Sequence, residues 1–527
     1  ESETGNDVIG VLQQKIVFGT VTDESGQSLP GVTIVVKGTT QGTVTDNNGN
    51  YSLINVSEDA TLVFSFVGMR TQEIVVNGQT SINIKMENDA FGIEEVVAVG
   101  YGTQKKVNIT GAVDIISNSQ IQNRQSSTVS QILQGQMPGV NFNIGENGFE
   151  PGAQLSIDIR GIGSLNGGSP YVVVDGFPGD LDRINPEDIE SISILKDAAS
   201  SAIYGARAAY GVILVTTKSA KKNEKLKATY DGNVSIGFPM PFPDRIDSYT
   251  WARMFNEAGI NRGGRSYSND VIDRIIAYQN EDWEFLRQFA PEGATNFETQ
   301  VMPDGTYGIK ENAHANNDWF DILFGQSVNQ KHNFSVQGGS DKTSYYFSAG
   351  YLTQEGVVNF SEDNYTRYNV SGKINTSIAD WWDFSYEPRF MKSNRILPNM
   401  TGDGYTQFFY TLNSAAPSNP LYDAYGNYYA LIQGLPVIQT LQSGSKNNTE
   451  ITENWHTFNT ELRPTSGWKI YADFAYKSYD SFRSNVYQTV YYSNPDKSYT
   501  PAGAIPNRLN NTHYSNNYWT SNVYTSY

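Results

Sequence analysis

The sequence contains no cysteine, few histidines and no uninterrupted apolar run of the ~18 residues that a membrane-spanning helix requires. The first absence excludes disulfide bridges, zinc–thiolate sites and cysteine nucleophiles. The four histidines lie far apart and form no HExxH motif: His314, His332, His456 and His513. Metal-dependent hydrolysis therefore has little support, and neither a metal site nor a cofactor is expected.

Basic residues are outnumbered as well. The chain carries 37 Lys+Arg against 55 Asp+Glu, which gives a net charge of −18 and a pI of about 4.7. This balance argues against nucleic acid as a partner. At roughly 150 residues per domain, the 527 residues allow three or four domains. A mean hydropathy of −0.45 is compatible with a membrane β-barrel, because strands of alternating polarity do not raise the average.

The N-terminal residues 15–88 are a candidate domain of their own. Short β-branched runs alternate there with turn residues, which predicts a small all-β sandwich. Asp46, Asn48 and Asn50 superficially resemble a calcium loop, but Tyr51 and Ser57 occupy the positions that require Gly and Glu. An Asx-rich turn is the better interpretation. Residues 1–14 form a tail with no basic, apolar leader, so any export signal is expected to have been removed.

Residues 89–106 connect this domain to the next. Their centre, Glu94–Val99, is extended and partly apolar, and Gly100 and Gly102 follow it. One interpretation is an ordinary linker strand packed on its own protein. The other is a free strand that docks on the open sheet edge of another protein through main-chain hydrogen bonds.

Residues 107–220 are mixed α/β. The helix candidates are Ser126–Leu133 and Pro186–Ile189, the second with Asn185 as its cap and Pro186 at its start. The strand candidates are Leu155–Arg160, Tyr171–Asp175, Ile189–Leu195 and Gly211–Thr217.

Two arginines of this region are candidate structural residues. Arg160 and Arg207 are expected to pair with acidic groups inside the domain or on a surrounding wall, because an interior cation needs a partner. Arg207 lies in a turn between Gly205 and Gly211, where it could reach a carboxylate. Contact with a ligand is the alternative role.

From residue 221 to residue 527 apolar and polar residues alternate in windows of about ten, the length of a tilted strand that crosses a bilayer. One face of the window Trp468–Lys477 is apolar or aromatic: Trp468, Ile470, Ala472, Phe474 and Tyr476. A soluble sandwich could show the same pattern, but a second sheet would have to cover its apolar faces. The windows give about seven strands, with an eighth that begins near Tyr518.

The connections between these windows differ in length. Short turns (Gly338–Lys342, Ala379–Asp380, Pro464–Gly467) alternate with long connections (Phe238–Asn329, Thr353–Asn364, Ser393–Glu453). This asymmetry is typical of an outer-membrane barrel. Helical patches at Ser248–Ala258 and Asn269–Tyr278 lie in the longest connection. Loop aromatics such as Tyr405, Phe408, Phe409 and Tyr410 could stack on sugars, pack the loop or contact a partner.

Six segments follow one another in a family-specific order: GTVTDESGQSLPGVTIVVKGTTQGTVTDNNGNYSL (Gly19–Leu53), EEVVAVGYG (Glu94–Gly102), IRGIGS (Ile159–Ser164), YVVVDGFP (Tyr171–Pro178), IESISILKDAASSAIYGARAAYGVILVTTK (Ile189–Lys218) and QGGSDKTSYYFSAGYLTQEGV (Gln337–Val357). The first resembles the carboxypeptidase-regulatory-like domain. The second resembles a TonB box, and the next three resemble the plug of TonB-dependent receptors. Together the chain resembles the SusC-like TonB-dependent outer-membrane transporters.

This resemblance implies a β-rich, multidomain fold. It consists of a transthyretin-like β-sandwich (15–88), a TonB-box linker (89–106), a mixed α/β plug (107–220) and part of a large antiparallel transmembrane β-barrel (221–527). A plug of about 110 residues is roughly 34 Å across, and about 22 strands leave a lumen that wide. The eight strands are therefore expected to belong to the N-terminal part of a longer transporter.

The resemblance also implies candidate site residues. Glu94, Glu95, Val96, Val97, Ala98, Val99 and Gly100 would couple to TonB. Two polar, glycine-rich stretches, Asn143–Gly152 and Gly161–Pro170, would meet substrate first, through residues such as Glu146, Asn147, Phe149, Ser164 and Asn166. The glycines of the second stretch lack the GxGxxG spacing and the lysine of a nucleotide loop. No catalytic residue is expected.

The implied function is TonB-dependent import of large nutrients, above all oligosaccharides, across the outer membrane of a Gram-negative, Bacteroidetes-like bacterium, with the sandwich in the periplasm. The implied partners are a SusD-like surface lipoprotein, TonB with ExbB and ExbD, and outer-membrane lipid; two transporter–lipoprotein pairs could form a dimer. The alternatives are a peptide importer of the same family, a siderophore or vitamin receptor, and a non-transport assembly subunit. A glycoside hydrolase is disfavoured, because no spacing singles out a pair of carboxylates.

Overall fold

The computed structural model describes residues 16–23, 26–39, 41–66, 69, 71–87, 96–99, 102–105, 113–122, 124, 126–144, 150–161, 168–239, 243–263, 267–399, 404–432, 435–502 and 507–527. The chain divides into two compact units, Glu1–Thr110 and Gly111–Tyr527. Among the described helices, none combines the length and the apolar character that are needed to cross a membrane.

The first unit contains the predicted β-sandwich. Its strands are β1 (Ile16–Thr22), β2 (Thr33–Val36), β3 (Gly42–Val44), β4 (Asn50–Ile54), β5 (Thr61–Ser65), β6 (Gln72–Val75) and β7 (Ile84–Lys85). They form two sheets, of order β4-β1-β7 and β3-β2-β5-β6. Alternate residues point inward, so that Val21, Ile34, Leu62 and Phe64 are fully buried.

The Asx-turn interpretation is confirmed. The Asp46 carboxylate accepts hydrogen bonds from the backbone N–H groups of Asn48 and Asn50, both at 2.8 Å. These bonds hold the tight connection between β3 and β4, and they use the carboxylate oxygen that a calcium ion would otherwise need.

The linker of the first unit contains a short antiparallel pair, β8 (Val96–Val99) and β9 (Gly102–Lys105). Val96 is opposite Lys105, and Val99 is opposite Gly102. The predicted TonB-coupling strand is therefore one half of a hairpin, and the sequence did not predict the other half, β9.

The second unit begins with the plug. Its elements are β10 (Val113–Ser117), α1 (Asn118–Gln122), α2 (Val129–Leu133), β11 (Val140–Asn143), β12 (Ser156–Ile159), β13 (Tyr171–Val174), β14 (Phe177–Pro178), β15 (Ile189–Leu195), α3 (Ala198–Ser201) and β16 (Val212–Thr217), with 3-10 turns at Leu181–Arg183, Pro186–Asp188 and Ala202–Ala208. The main sheet has the order β10-β15-β16-β13-β14. Ile192, Ile194 and Ile213 are fully buried in its core.

An eight-stranded antiparallel sheet, here called the wall, follows the plug in sequence. It has the order β17-β18-β19-β20-β21-β24-β25-β28, with β17 Lys227–Gly237, β18 Ser327–Gly339, β19 Thr343–Glu355, β20 Asn364–Ala379, β21 Trp382–Pro398, β24 Lys446–Thr465, β25 Trp468–Tyr487 and β28 Arg508–Ser526. The last strand begins at Arg508, so the predicted start near Tyr518 is wrong. The strands reach 20 residues, about twice the predicted window, because the ladder continues beyond the apolar segment.

The two faces of the wall differ as predicted. On β25, Phe474 and Tyr476 are exposed, whereas Ala475 is fully buried and Lys477 reaches a buried carboxylate of β24. On β19, Phe347 is exposed and Tyr346 is buried. One face therefore carries exposed aromatics, and the other packs on the plug.

The long connections carry most of the remaining elements. These are α4 (Ser248–Arg262), α5 (Asn269–Gln279), α6 (Trp283–Arg287), α7 (Trp319–Leu323), α8 (Gly404–Asn413), β22 (Leu431–Ile432), β23 (Leu435–Pro436), α9 (Val437–Gln442), β26 (Tyr491–Ser493) and β27 (Tyr499–Pro501). The predicted helices in the longest connection correspond to α4 and α5. Asp247 and Ser268 cap them through side-chain hydrogen bonds to Thr250 and Val271.

These connections pack together into a cap. The indole of Trp319 donates to the carbonyl of Ala416 at 3.1 Å, and the hydroxyl of Tyr425 donates to the carbonyl of Pro495 at 2.8 Å. Three connections that are far apart in sequence thus share one set of contacts.

Candidate functional site

The contact between the plug and the inner face of the wall is the most extensive polar feature that the described residues show. On the plug side, two short 3-10 turns place Arg183, Asn185, Glu187 and Asp188 next to one another. Asp180 and Asn185 cap these turns by accepting from the N–H groups two residues further on. The turn chemistry therefore fixes the side chains that meet the wall.

The first part of this interface is a buried four-charge cluster. Asp175 of the plug accepts from the N–H and hydroxyl groups of Thr217, at 2.9 and 2.8 Å. Arg389 of β21 lies 3.4 Å from the same carboxylate, and Lys373 of β20 lies 3.9 Å from it and 2.9 Å from Glu387. Burial alone would raise the pKa of Asp175, but the two cations and the Thr217 hydrogen bonds outweigh it and hold the pKa below its usual value.

A second cluster surrounds Glu453 of β24, whose side chain is only 6% exposed. Arg183 of the plug and Lys477 of β25 lie 2.7 and 3.0 Å from its carboxylate. The indole N–H of Trp455 donates to the other carboxylate oxygen at 2.7 Å. Arg183 also lies 3.0 Å from Asp180. One wall carboxylate thus joins a plug cation to two wall side chains.

The third set of contacts surrounds the second turn. The carboxylate of Asp188 accepts from the hydroxyls of Tyr346, at 3.0 Å, and Ser371. Glu187 lies 2.5 Å from the amine of Lys331. Burial raises the pKa of Asp188, although these hydroxyl donors act against that effect.

Further contacts join plug main-chain atoms to wall side chains. Arg367, which is 2% exposed, donates to the carbonyl of Asp182 at 2.8 Å. Asn369 donates to the carbonyl of Arg183 at 3.1 Å. Beside these charged and polar contacts, the described residues include a small apolar cluster across the interface, formed by Phe177 of the plug with Trp455 and Ala475 of the wall.

Above the Glu453 cluster, toward the ends of β21 and β24 that lead into the cap, lies a cavity of about 650 Å³. Its lining includes plug residues 152–154, Tyr365 and three arginines, Arg183, Arg395 and Arg483. A cavity of this size is in the range of small-molecule sites. It lies between the plug and four neighbouring wall strands.

Few of the sequence-predicted site residues fall in the described ranges. Val96, Val97, Ala98 and Val99 form β8, whereas Glu94, Glu95 and Gly100 lie outside those ranges. The loop residues Glu146, Asn147, Phe149, Ser164 and Asn166 lie outside them too. The roles assigned to all of these residues stay predictions.

Arg160 and Arg207, which were expected to pair with acidic groups, are both exposed. Arg207 is exposed; its guanidinium donates to the hydroxyl of Tyr171 at 3.3 Å and lies over that ring. Its partners within the described residues are thus two tyrosines, Tyr171 and Tyr518, rather than the expected carboxylate. Arg160 is also exposed, with a positive φ of 60° and a backbone hydrogen bond to Gly139. The cations that pair across the interface are instead Arg183 of the plug and Lys331, Lys373, Arg389 and Arg395 of the wall.

The loop aromatics are divided between two environments. Phe408 is 1% exposed and packs edge-on against Phe324, with ring centroids 5.9 Å apart, and Phe409 stacks on the same ring. Tyr410 is exposed. Packing within the cap therefore accounts for two of these side chains.

Comparison with known proteins agrees with this architecture. Residues 17–98 match the CarboxypepD_reg-like domain family, and residues 105–212 match the TonB-dependent Receptor Plug Domain family. The TonB-dependent receptor P26 of Formosa agariphila is 31% identical over 90% of this chain and 44% of its own length. The TonB-dependent receptor SusC of Bacteroides thetaiotaomicron is 32% identical over 72% of this chain and 34% of its own length.

Among solved structures, the RagAB peptide importer in its open-open state has the same fold, with a TM-score of 0.61 at 23% identity over 81% of this chain and 46% of the matched chain. The chain spans less than half the length of these relatives. The chain thus has a sandwich, a plug and a wall in this order along its sequence, and it is 31–32% identical to these two receptors. The chain is a member of the SusC-like TonB-dependent transporter family.

Proposed function

We propose that the protein containing this chain imports oligosaccharides across the outer membrane of a Gram-negative bacterium, using energy that TonB transmits. The proposed lid is a SusD-like surface lipoprotein, and two transporter–lipoprotein pairs are the proposed assembly. The sandwich would lie in the periplasm. The main support is the polar interface between plug and wall, because it holds a folded domain against the inner face of a sheet through contacts that can be exchanged for water.

The proposed mechanism is gating by force. The plug blocks passive flow while Arg183, Asp175 and Asp188 are bound to the wall. Cargo binding makes the coupling strand accessible, and TonB pulls on Glu94–Gly100. Buried ion pairs lose much of their advantage over hydration when water enters, so a pull that opens the interface at one edge weakens the next contacts.

Deletion of Ile93–Gly100 tests this proposal. Uptake of labelled oligosaccharide by cells should be lost, while cargo binding to the purified full-length protein stays measurable. An equally long deletion in the N-terminal tail, residues 3–10, controls for chain length and should leave uptake intact. Retained uptake after the first deletion would contradict the proposal.

The proposal includes no hydrolytic step by this chain. Purified protein incubated with candidate glycans should generate no new reducing ends. A parallel uptake experiment with labelled peptides decides between the two cargo classes: uptake of peptides without uptake of any oligosaccharide would identify a peptide importer.

A further inference from the structure

The charged side chains that line the cavity above the Glu453 cluster are all positively charged. Three arginines border it, Arg183, Arg395 and Arg483, and no acidic residue does among the described residues. This is unexpected in a chain with a net charge of −18. Arg183 is neutralised by Asp180 and Glu453. The other two arginines define the chemistry of the opening.

Sheet register places these arginines in one row. Tyr365 is opposite Arg395, Arg395 is opposite Thr449, and Thr449 is opposite Arg483. Since neighbouring strands are about 4.8 Å apart, the Cα atoms of the two arginines are ~10 Å apart with a hydroxyl between them. All four residues line the cavity. The row thus presents an aromatic ring, a guanidinium, a hydroxyl and a second guanidinium.

The two guanidinium groups are incompletely satisfied. Arg483 is exposed to the cavity and forms no ion pair within the part of the chain that the structure describes. Arg395 pairs with the Glu150 carboxylate of the plug, yet its buried Nε has no hydrogen-bond partner there. An arginine that keeps free donors in a concave site is suited to bidentate binding of a carboxylate or sulfate.

The plug reaches this row through one short segment. Glu150 binds Arg395, and the N–H of Gly152 donates to the side chain of Gln354 at 2.9 Å. Gly152 has a φ of +68° and lies so close to the ring of Tyr365 that a Cβ would be 2.4 Å from it. Only glycine fits this approach. Glu150 therefore occupies, from inside the protein, the position that an external anion would take on Arg395.

We propose that this cavity binds an acidic oligosaccharide, one that carries carboxylate or sulfate groups, through Arg395 and Arg483, and that one such group displaces Glu150 from Arg395. This inference rests on the proposed import of oligosaccharides and names the substrate class. Thr449 offers a hydroxyl between the two charges, and the buried Tyr365 ring, which Gly152 covers, borders the end of the row.

Hydrogen bonds connect the segment that follows Glu150 to the interior of the plug, so displacement of Glu150 can affect the plug. The carbonyl of Ala153 accepts from the side chain of Gln131 in α2 at 3.0 Å. The N–H of Leu155 donates to Ser130, whose hydroxyl donates to the Asp182 carboxylate. Burial raises the pKa of Glu150 despite the opposing effect of Arg395.

Binding measurements on the full-length protein in detergent test the proposal. The probes are size-fractionated hexasaccharides from pectin and alginate, which carry carboxylates, and from carrageenan, which carries sulfates, with maltohexaose as the neutral comparison. At least one acidic probe should bind, and raised salt should weaken it. Arg395→Gln and Arg483→Gln should each weaken that binding about tenfold or more.

Three further variants separate binding from folding. Lys392→Gln removes a cation from the opposite face of β21, where Lys392 pairs with Glu450 at 3.0 Å, and should change affinity less than twofold. Arg483→Lys keeps the charge but loses the bidentate geometry, so its affinity should lie between those of the wild type and Arg483→Gln. Glu150→Gln removes the competing carboxylate and should tighten binding of the acidic probe severalfold without affecting maltohexaose.

The outcomes are decisive in both directions. If no acidic hexasaccharide binds, or if the arginine variants bind it as well as Lys392→Gln does, the proposal is wrong. Binding of hexaglutamate through the same arginines, with no binding of acidic sugars, would also overturn it. TonB-dependent uptake of neutral oligosaccharides alone would reject this inference and leave the proposed function intact, whereas uptake that survives deletion of Ile93–Gly100 would reject the proposed function itself.

Discussion

Glu453 is a buried wall carboxylate that binds one cation of the plug and two side chains of the wall. It accepts from Trp455 and pairs with Arg183 and Lys477. Removing one partner of a buried ion pair is costly, because the remaining charges lose their compensation without regaining water. A single carboxylate can therefore affect how firmly the plug is held.

Glu453→Gln should accordingly destabilise the plug–wall contact by about 3–5 kcal/mol. Hydrogen exchange of residues 171–188 in the full-length protein would measure the effect as faster exchange. Glu461→Gln is the matched control, because Glu461 is more exposed and pairs with Arg463 and Lys469 on the wall itself. Loss of these pairs should destabilise the protein by about 1 kcal/mol or less. Equal exchange in the two variants would contradict the role of Glu453.

Asp182 gives the plug a dependence on pH. Burial raises its pKa to about 6, although the N–H and hydroxyl of Ser130 donate to it at 2.7 and 2.8 Å. Since the folded-state pKa is above the unfolded value near 3.9, its contribution to stability is complete below about pH 4. That contribution is lost as the pH rises through about 6.

Asp182→Asn should remove this loss. Relative to the wild type, the variant should gain on the order of 3 kcal/mol between pH 4 and pH 8. Thermal unfolding of the plug, followed at both pH values, would measure the gain. An identical difference between variant and wild type at the two pH values would refute the assignment.

At the scale of elements, the cap combines short helices with irregular segments and depends on a shared apolar core. Leu323 of α7 is fully buried against residues that include Phe408, Val437 and Ile438. Because helices as short as α7 and α9 are unstable alone, tertiary packing must supply their stability.

Leu323→Ala should therefore loosen the cap by about 2–5 kcal/mol. Limited proteolysis would detect the change as faster cleavage in residues 404–432, while the wall strands stay protected. Ile276→Ala, at an exposed position of α5, is the control and should leave the cleavage pattern unchanged. Unchanged cleavage in both variants would show that the cap has another source of stability.

Alternation and turn chemistry allowed most elements to be predicted from the sequence. The Asn185–Pro186 pair predicted a short helix over Pro186–Ile189, where the structure has a 3-10 turn, Pro186–Asp188. The aromatic face of β25 predicted its exposed side. The start of β28 could not be predicted, because residues 508–517 show no alternation: Leu509 and Tyr514 lie on opposite faces among polar residues.

Most contacts of the candidate site could not be predicted from the sequence. Arg183 and Glu453 are 270 positions apart, and only the docking of plug against wall brings them together. One local signal existed: Arg367, Asn369, Ser371 and Lys373 occupy alternate positions of β20, on the face opposite Tyr368 and Val370. A polar stripe opposite an apolar one indicates a polar interior, but it does not identify the partners.

On the scale of the whole molecule, the sandwich has a closed apolar core of its own. Val17, Ile34, Tyr51, Phe64 and Met86 are all buried within it. A domain of this size that buries its own core is expected to fold independently.

Residues 1–88 expressed alone should therefore unfold in one cooperative thermal transition, which circular dichroism would detect. The Phe64→Ala variant should lower the free energy of unfolding by about 3–5 kcal/mol. A gradual, non-cooperative melt of the wild-type fragment would mean that the sandwich needs the rest of the chain.

If TonB pulls on β8 as proposed, the β8–β9 hairpin determines how that force is transmitted along the chain. The chain enters β8 and leaves β9 at the same end of the ladder, where Val96 faces Lys105. Tension drawn between those two points unzips the cross-strand pairs one after another instead of shearing them all at once. When the hairpin is fully opened, the distance between Val96 and Lys105 grows from about 5 Å to about 30 Å, so ~25 Å of slack is taken up before any load arrives at Val113 of the plug.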